Sequence, residues 1–154
     1  MTEGHYFETG LGGGWDAALL EPMAELNAEI LAAYAGVEAS LSAPWRRLGA
    51  AARTRLAACP YLLLDAGFAR AELWSCWPRA GVHEATATVP QLHGQTLPGT
   101  PVLRRCLLFA WHLARANRLG ARIALGMSAS CAAALASCRI VDLEALAELR
   151  PAWI

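Results

Sequence analysis

From Leu19 to about Leu41 the apolar positions Met23, Leu26, Ile30, Tyr34, Val37 and Leu41 recur every three or four residues. That spacing puts side chains on one face of an α-helix. Glu21, Glu25 and Glu29 crowd its first half, where the helix dipole favours negative charge. A second helix is expected from "APWRRL", with Pro44 in its first turn, to Cys59, where Pro60 stops it. "YLLLDAGFARAELWSCW" then reads as a short apolar segment followed by a helix from Asp65 to Trp77, with Asp65 as its N-cap.

The pattern fails between 78 and 100, where Pro78, Pro90 and Pro98 alternate with Gly81, Gly94 and Gly99. Apart from a short extended piece at "ATATV", this stretch reads as a linker or a surface loop. Pro101 then opens one long helix, "PVLRRCLLFAWHLARANRLGARIAL", with apolar positions 103, 107, 110, 113 and 114 at helical spacing. Gly126 ends it, Ser128 caps a helix "ASCAAALAS", and "VDLEALAEL" forms a last one stopped by Pro151. The expectation is an all-α helical bundle of about five to seven helices. Its parts are a flexible leader over 1–18, a helical region over 19–77, the Pro/Gly-rich connection over 78–100 and a three-helix module over 101–154.

Composition agrees with this pattern. Apolar residues make up 56% of the 154 positions, mainly Ala and Leu, which lose little entropy in a helix. A chain of this length buries a core without disulfide or metal staples. The five cysteines, Cys59, Cys76, Cys106, Cys131 and Cys138, form no CxxC pair. No histidine stands at ligand spacing from them. They read as reduced, buried thiols, which places the chain in the cytoplasm. The apolar stretch 107–127 has the length of a membrane span, but Arg115, Arg118 and Arg122 interrupt it, so no membrane is expected.

Charge is balanced in sum and uneven in distribution. All 13 basic residues are arginine, against 13 acids. Residues 1–45 carry seven acids and no base, residues 46–126 carry eleven arginines against three acids, and 127–154 nearly balance. The acidic first section either docks on the basic middle or stays solvated on a separate helix.

Candidate chemistry is sparse. "GLGGGWD" lacks the Lys-Ser/Thr of a phosphate-binding loop. His5, His83, His93 and His112 are scattered, and His112, inside an apolar helix, reads as a packed histidine. No cofactor, no metal and no catalytic residue are assigned, and the chain is not expected to be an enzyme. One alternative keeps a small-molecule sensor or enzyme with a pocket near Trp74, Trp77, His83 and His93.

"RLGARIALGMSASCAAALAS", residues 118–137, has the cadence of a helix-turn-helix. Its second helix carries no charge and nothing longer than a leucine, a poor instrument for reading base edges. The cadence therefore reads as helix-on-helix architecture. A second alternative is a stand-alone DNA-binding protein whose Arg115, Arg118 and Arg122, on one face of the long helix, contact phosphate.

From Cys106 to Glu148 the chain resembles the FlhD family, the D subunit of the bacterial flagellar master transcriptional activator. The residues that carry this are the "LLFAWHL" run, Ala121, "LGM" at 125–127, "AAALA" at 132–136, Ile140, Leu143 and "LAE" at 146–148. The resemblance implies a bacterial transcriptional-regulator-like protein acting through helical dimerisation or partner binding. It would form a homo-dimer or bind an FlhC-like protein and touch DNA only indirectly. It also implies that Leu107, Leu108, Leu113, Leu125, Leu135, Leu143 and Leu146 pack in a partner or dimer interface.

Overall fold

The computed structural model describes residues 17–36, 47–70, 72, 74 and 100–149. Among them are six helices and no strand, so the chain is all-α as its periodicity predicts. They are α1 (Ala17–Gly36), α2 (Ala50–Ala57), α3 (Thr100–Ala116), α4 (Arg118–Ala124), α5 (Ala129–Ser137) and α6 (Ile140–Leu149). The leader before 17, the extended piece "ATATV" and the rest of the Pro/Gly-rich connection up to residue 99 lie outside the described residues.

The amphipathic stripe of α3 makes it the centre of the fold. Leu103, Cys106, Leu107, Ala110, Leu113 and Ala114 are all buried. Against this helix pack α1, α4, α5 and α6. From α1 come Met23, Leu26 and Ile30, the positions its spacing marked, and they join one buried cluster with Leu135, Leu143 and Leu146. The region before the connection and the region after it thus share one core, because neither α1 nor α3 can bury its apolar face alone.

Three boundaries differ from expectation. The start expected at Pro44 lies outside the described residues, and residues 47–49 are not helical. The second helix runs from Ala50, where an extended Gly49 lends its carbonyl to the N–H groups of Ala52 and Arg53, to Ala57, short of Pro60 as expected. Asp65 does not open a helix. Its Oδ1 accepts a hydrogen bond from Gly67 N at 2.9 Å, and Gly67, at φ 67°, turns the chain out of helical geometry. Helical backbone is present further on, at Glu72 and Trp74. The predicted long helix after Pro101 is two helices, so four helices and not three are present among the described residues 100–149. Asn117 takes φ −148° and ψ 89°, and its side chain caps α4 by accepting from Gly120 N at 2.8 Å.

Gly120 is part of that cap. A Cβ there would lie 2.9 Å from Asn117 Nδ2. Gly120→Ala is expected to push Asn117 off its bond and to cost about 1 kcal/mol, the usual value of an N-cap. Urea unfolding of Gly120→Ala, Asn117→Ala and the double variant checks this. Strictly additive losses would mean that the two residues act independently.

The loop between α2 and Trp74 is pinned at both ends. Asn27 on α1 is fully buried, and its Nδ2 donates to the carbonyls of Ala57 at 3.1 Å and Tyr61 at 2.9 Å. Its Oδ1 accepts from Leu63 N at 2.8 Å. Beyond Asn27, Leu62 N donates to Ala124 O and Ser128 N to Phe68 O. The loop therefore couples α1 to the joint between α4 and α5.

Candidate interaction site

Helices α4 and α5 meet at 118° across a short turn. Gly126 in that turn has φ 63°, a conformation that favours glycine. Ser128 caps α5 by accepting from Cys131 N at 3.0 Å. Angle, turn length and glycine are those of a helix-turn-helix. The second helix buries Cys131, Ala132 and Leu135 against the fold and exposes Ala129, Ser130, Ala133 and Ser137. An exposed face of alanine and serine offers little to a base edge.

The first helix presents a different surface. Ala121 and Ala124 face the core, while Arg118, Leu119, Arg122 and Ile123 face solvent. Leu119 is 56% exposed and Ile123 60%, large values for branched aliphatic side chains one helical turn apart. Both lie off the buried stripe that the apolar spacing marks. Their mutual i,i+4 spacing off that stripe, between arginines, was the available signal.

The arginines divide into satisfied and open groups. Arg104 pairs with Glu148 of α6 at 3.3 Å, and Arg105 pairs with Glu29 and, at 4.0 Å, with Glu25 of α1. The acidic stripe of α1 thus docks on α3. Arg139 holds Asp142 through a 2.7 Å bond, and that hydrogen bond keeps the Asp142 carboxyl below its usual range. Arg115, Arg118 and Arg122 do not share one helix face as expected, since the break at Asn117 puts Arg115 on α3 and the other two on α4. Arg115 lies 4.6 Å over the Trp111 ring. Among the described residues no carboxylate pairs with any of these three.

The chain matches no family model, no curated protein and no solved structure.

The leucines expected at an interface are mostly enclosed by this chain itself. Leu107, Leu113, Leu125, Leu135, Leu143 and Leu146 are buried, and Leu108 is half-buried against the same cluster. Side chains already removed from water have no further apolar surface to give a partner. Trp74 is also core, 1% exposed and stacked on Phe68 at 5.5 Å. Its proposed companions Trp77, His83 and His93 lie outside the described residues. His112, expected to be packed, is exposed, with its ring edge-on to Trp111.

Among the described residues no cluster of three or more His, Cys, Asp or Glu could hold a metal, and no single helix is long and apolar enough to cross a membrane. Cys106, Cys131 and Cys138 are buried free thiols, as their sequence setting predicts, and Cys59 is half-buried. Burial pushes the Cys106 and Cys131 thiols up to about 12 and Cys138 to about 11. These three are poor nucleophiles at neutral pH.

Proposed function

We propose that this chain is a bacterial transcriptional-regulator-like protein, similar to FlhD over residues 106–148, that acts by binding a protein partner. The observation that carries this reading is the solvent-facing surface of α4. Leu119 and Ile123 stand more than half exposed there, beside two arginines without described partners. Exposed aliphatic side chains beside fixed charge suit a protein contact, whose apolar centre is rimmed by polar groups. The leucines of the resemblance serve the core, so association falls to exposed residues of this kind. DNA is reached through the partner, since α5 exposes only alanine and serine at the angle where a reading helix would stand.

Chromatin precipitation in the bacterium that makes the protein, paired with gel shifts of the recovered DNA, tests the proposal. A discrete set of promoters should be enriched in cells, while the purified chain alone should fail to shift the same fragments. Absence of promoter enrichment would overturn the regulatory reading. A strong, salt-sensitive shift by the purified chain would replace it with direct DNA binding through Arg118 and Arg122.

A further inference from the structure

We infer that the face of α4 built from Arg118, Leu119, Arg122 and Ile123 docks an acidic amphipathic helix of a second, different protein. The inference rests on the partner-binding reading above and adds the chemistry of what binds and where.

Charge supplies the first argument. Residues 115–126, "RANRLGARIALG", contain three arginines and no acid. Arg104, Arg105 and Arg139 are each paired with a carboxylate of this chain. Exposed Arg47, Arg55 and Arg70 have no ion pair among the described residues, but none of them shares one helical turn with a second arginine and two exposed aliphatic side chains. The α4 arginines stand one turn apart without a paired carboxylate among the described residues, and carboxylates of a partner would supply the counter-charge. An acidic helix with glutamates four residues apart presents carboxylates at the same repeat.

The fold itself shows how such a helix sits on an arginine. Glu25 and Glu29 of α1, four residues apart, converge on Arg105 of α3, while Leu26 and Ile30 enter the core beside them. On α4 the equivalent ingredients are present on one side only. The apolar pair Leu119 and Ile123 asks for aliphatic partners, and the arginines ask for carboxylates.

Two other occupants fit less well. Nucleic acid would satisfy the arginines but would leave two branched aliphatic side chains facing phosphates. A second copy of this chain offers α6 as its nearest match, with Glu144 and Glu148 four residues apart beside exposed Ile140 and Val141. There Glu148 is already paired with Arg104 and Asp142 with Arg139. The copy's α1 likewise spends Glu25, Glu29 and its apolar face internally, and α4 against α4 would oppose arginine to arginine.

Fluorescence anisotropy with the full-length protein provides the test. The probe is a labelled synthetic helix of Leu, Ala and Glu, about 20 residues long so that it is helical enough to dock. Its glutamates stand at i,i+4 spacing. Three counterparts accompany it: the Gln version, the Lys version and a DNA duplex. The acidic helix is expected to bind and to weaken with salt. It should bind about tenfold or more weakly to Arg118→Glu/Arg122→Glu and to Leu119→Ser/Ile123→Ser. All four positions are exposed, so both variants should melt like the parent. The Arg→Glu variant should in turn gain affinity for the Lys helix, a result that loss of folding cannot produce.

No binding of the acidic helix, equal binding to parent and variants, or tighter binding of the Gln helix or DNA would each overturn the inference. If promoter enrichment persists while the acidic helix fails, the docking face falls and the regulatory reading stands. Binding that is lost in both variants, in a protein that enriches no promoter, has the opposite meaning.

Discussion

Asn27→Leu is expected to destabilise the protein by about 2–4 kcal/mol. The leucine fills the space, but the carbonyls of Ala57 and Tyr61 and the N–H of Leu63 lose their partner. Buried backbone groups left without a hydrogen bond cost roughly 1–3 kcal/mol each, less where water reaches them. For a chain of this size the melting temperature should fall by on the order of 10 °C. The effect should spread, since the same loop bonds Leu62 to Ala124 at the end of α4. Urea unfolding of Asn27→Leu, with Asn27→Ala as a companion, measures it. A loss below about 1 kcal/mol would show that water replaces the amide and that the loop is not held by α1.

Leu107→Ala is expected to cost about 2–5 kcal/mol, the range for emptying a fully buried leucine site. Leu107 has no exposed surface within this single chain, so the loss should not depend on protein concentration. An interface leucine behaves differently, because dissociation couples stability to concentration by mass action. Melting curves of parent and variant over a hundredfold concentration range separate the two. A parent whose melting temperature climbs with concentration, and a variant that loses this dependence, would return Leu107 to the dimer interface.

The elements that repeated every three or four apolar residues were legible in sequence. Met23, Leu26 and Ile30 on α1, and the stripe from Leu103 to Ala114 on α3, are buried where the spacing put them. The break at Asn117 was hidden by the same regularity. Ala121, Ala124 and Leu125 continue the buried pattern at seven, ten and eleven residues from Ala114, as an unbroken helix would. What interrupts the helix is a polar cap, Asn117 with Gly120 three residues on. Asp65 misled for a related reason. An aspartate that accepts from a backbone N–H serves a helix cap and a simple turn equally well, and Gly67 decided for the turn.

The candidate site was half legible. Arg118 and Arg122 were visible as basic residues four apart, but which arginines would find carboxylates depended on where α1 and α6 came to rest. Leu119 and Ile123 carry one sequence sign of exposure, their i,i+4 spacing off the buried stripe, but hydropathy records what a side chain prefers and not whether a neighbour arrives to cover it.

By itself, then, the amino-acid sequence determined helices, their apolar faces and the buried character of most cysteines, since backbone propensity and periodicity act over a few residues. Tertiary structure alone decided three things. It enclosed the leucines within one chain, joined the regions on either side of the Pro/Gly-rich stretch into a single core, and left α4 with an uncovered apolar and basic face. Each is a choice of partner between segments distant in the chain, made by shape and charge only once the helices have packed.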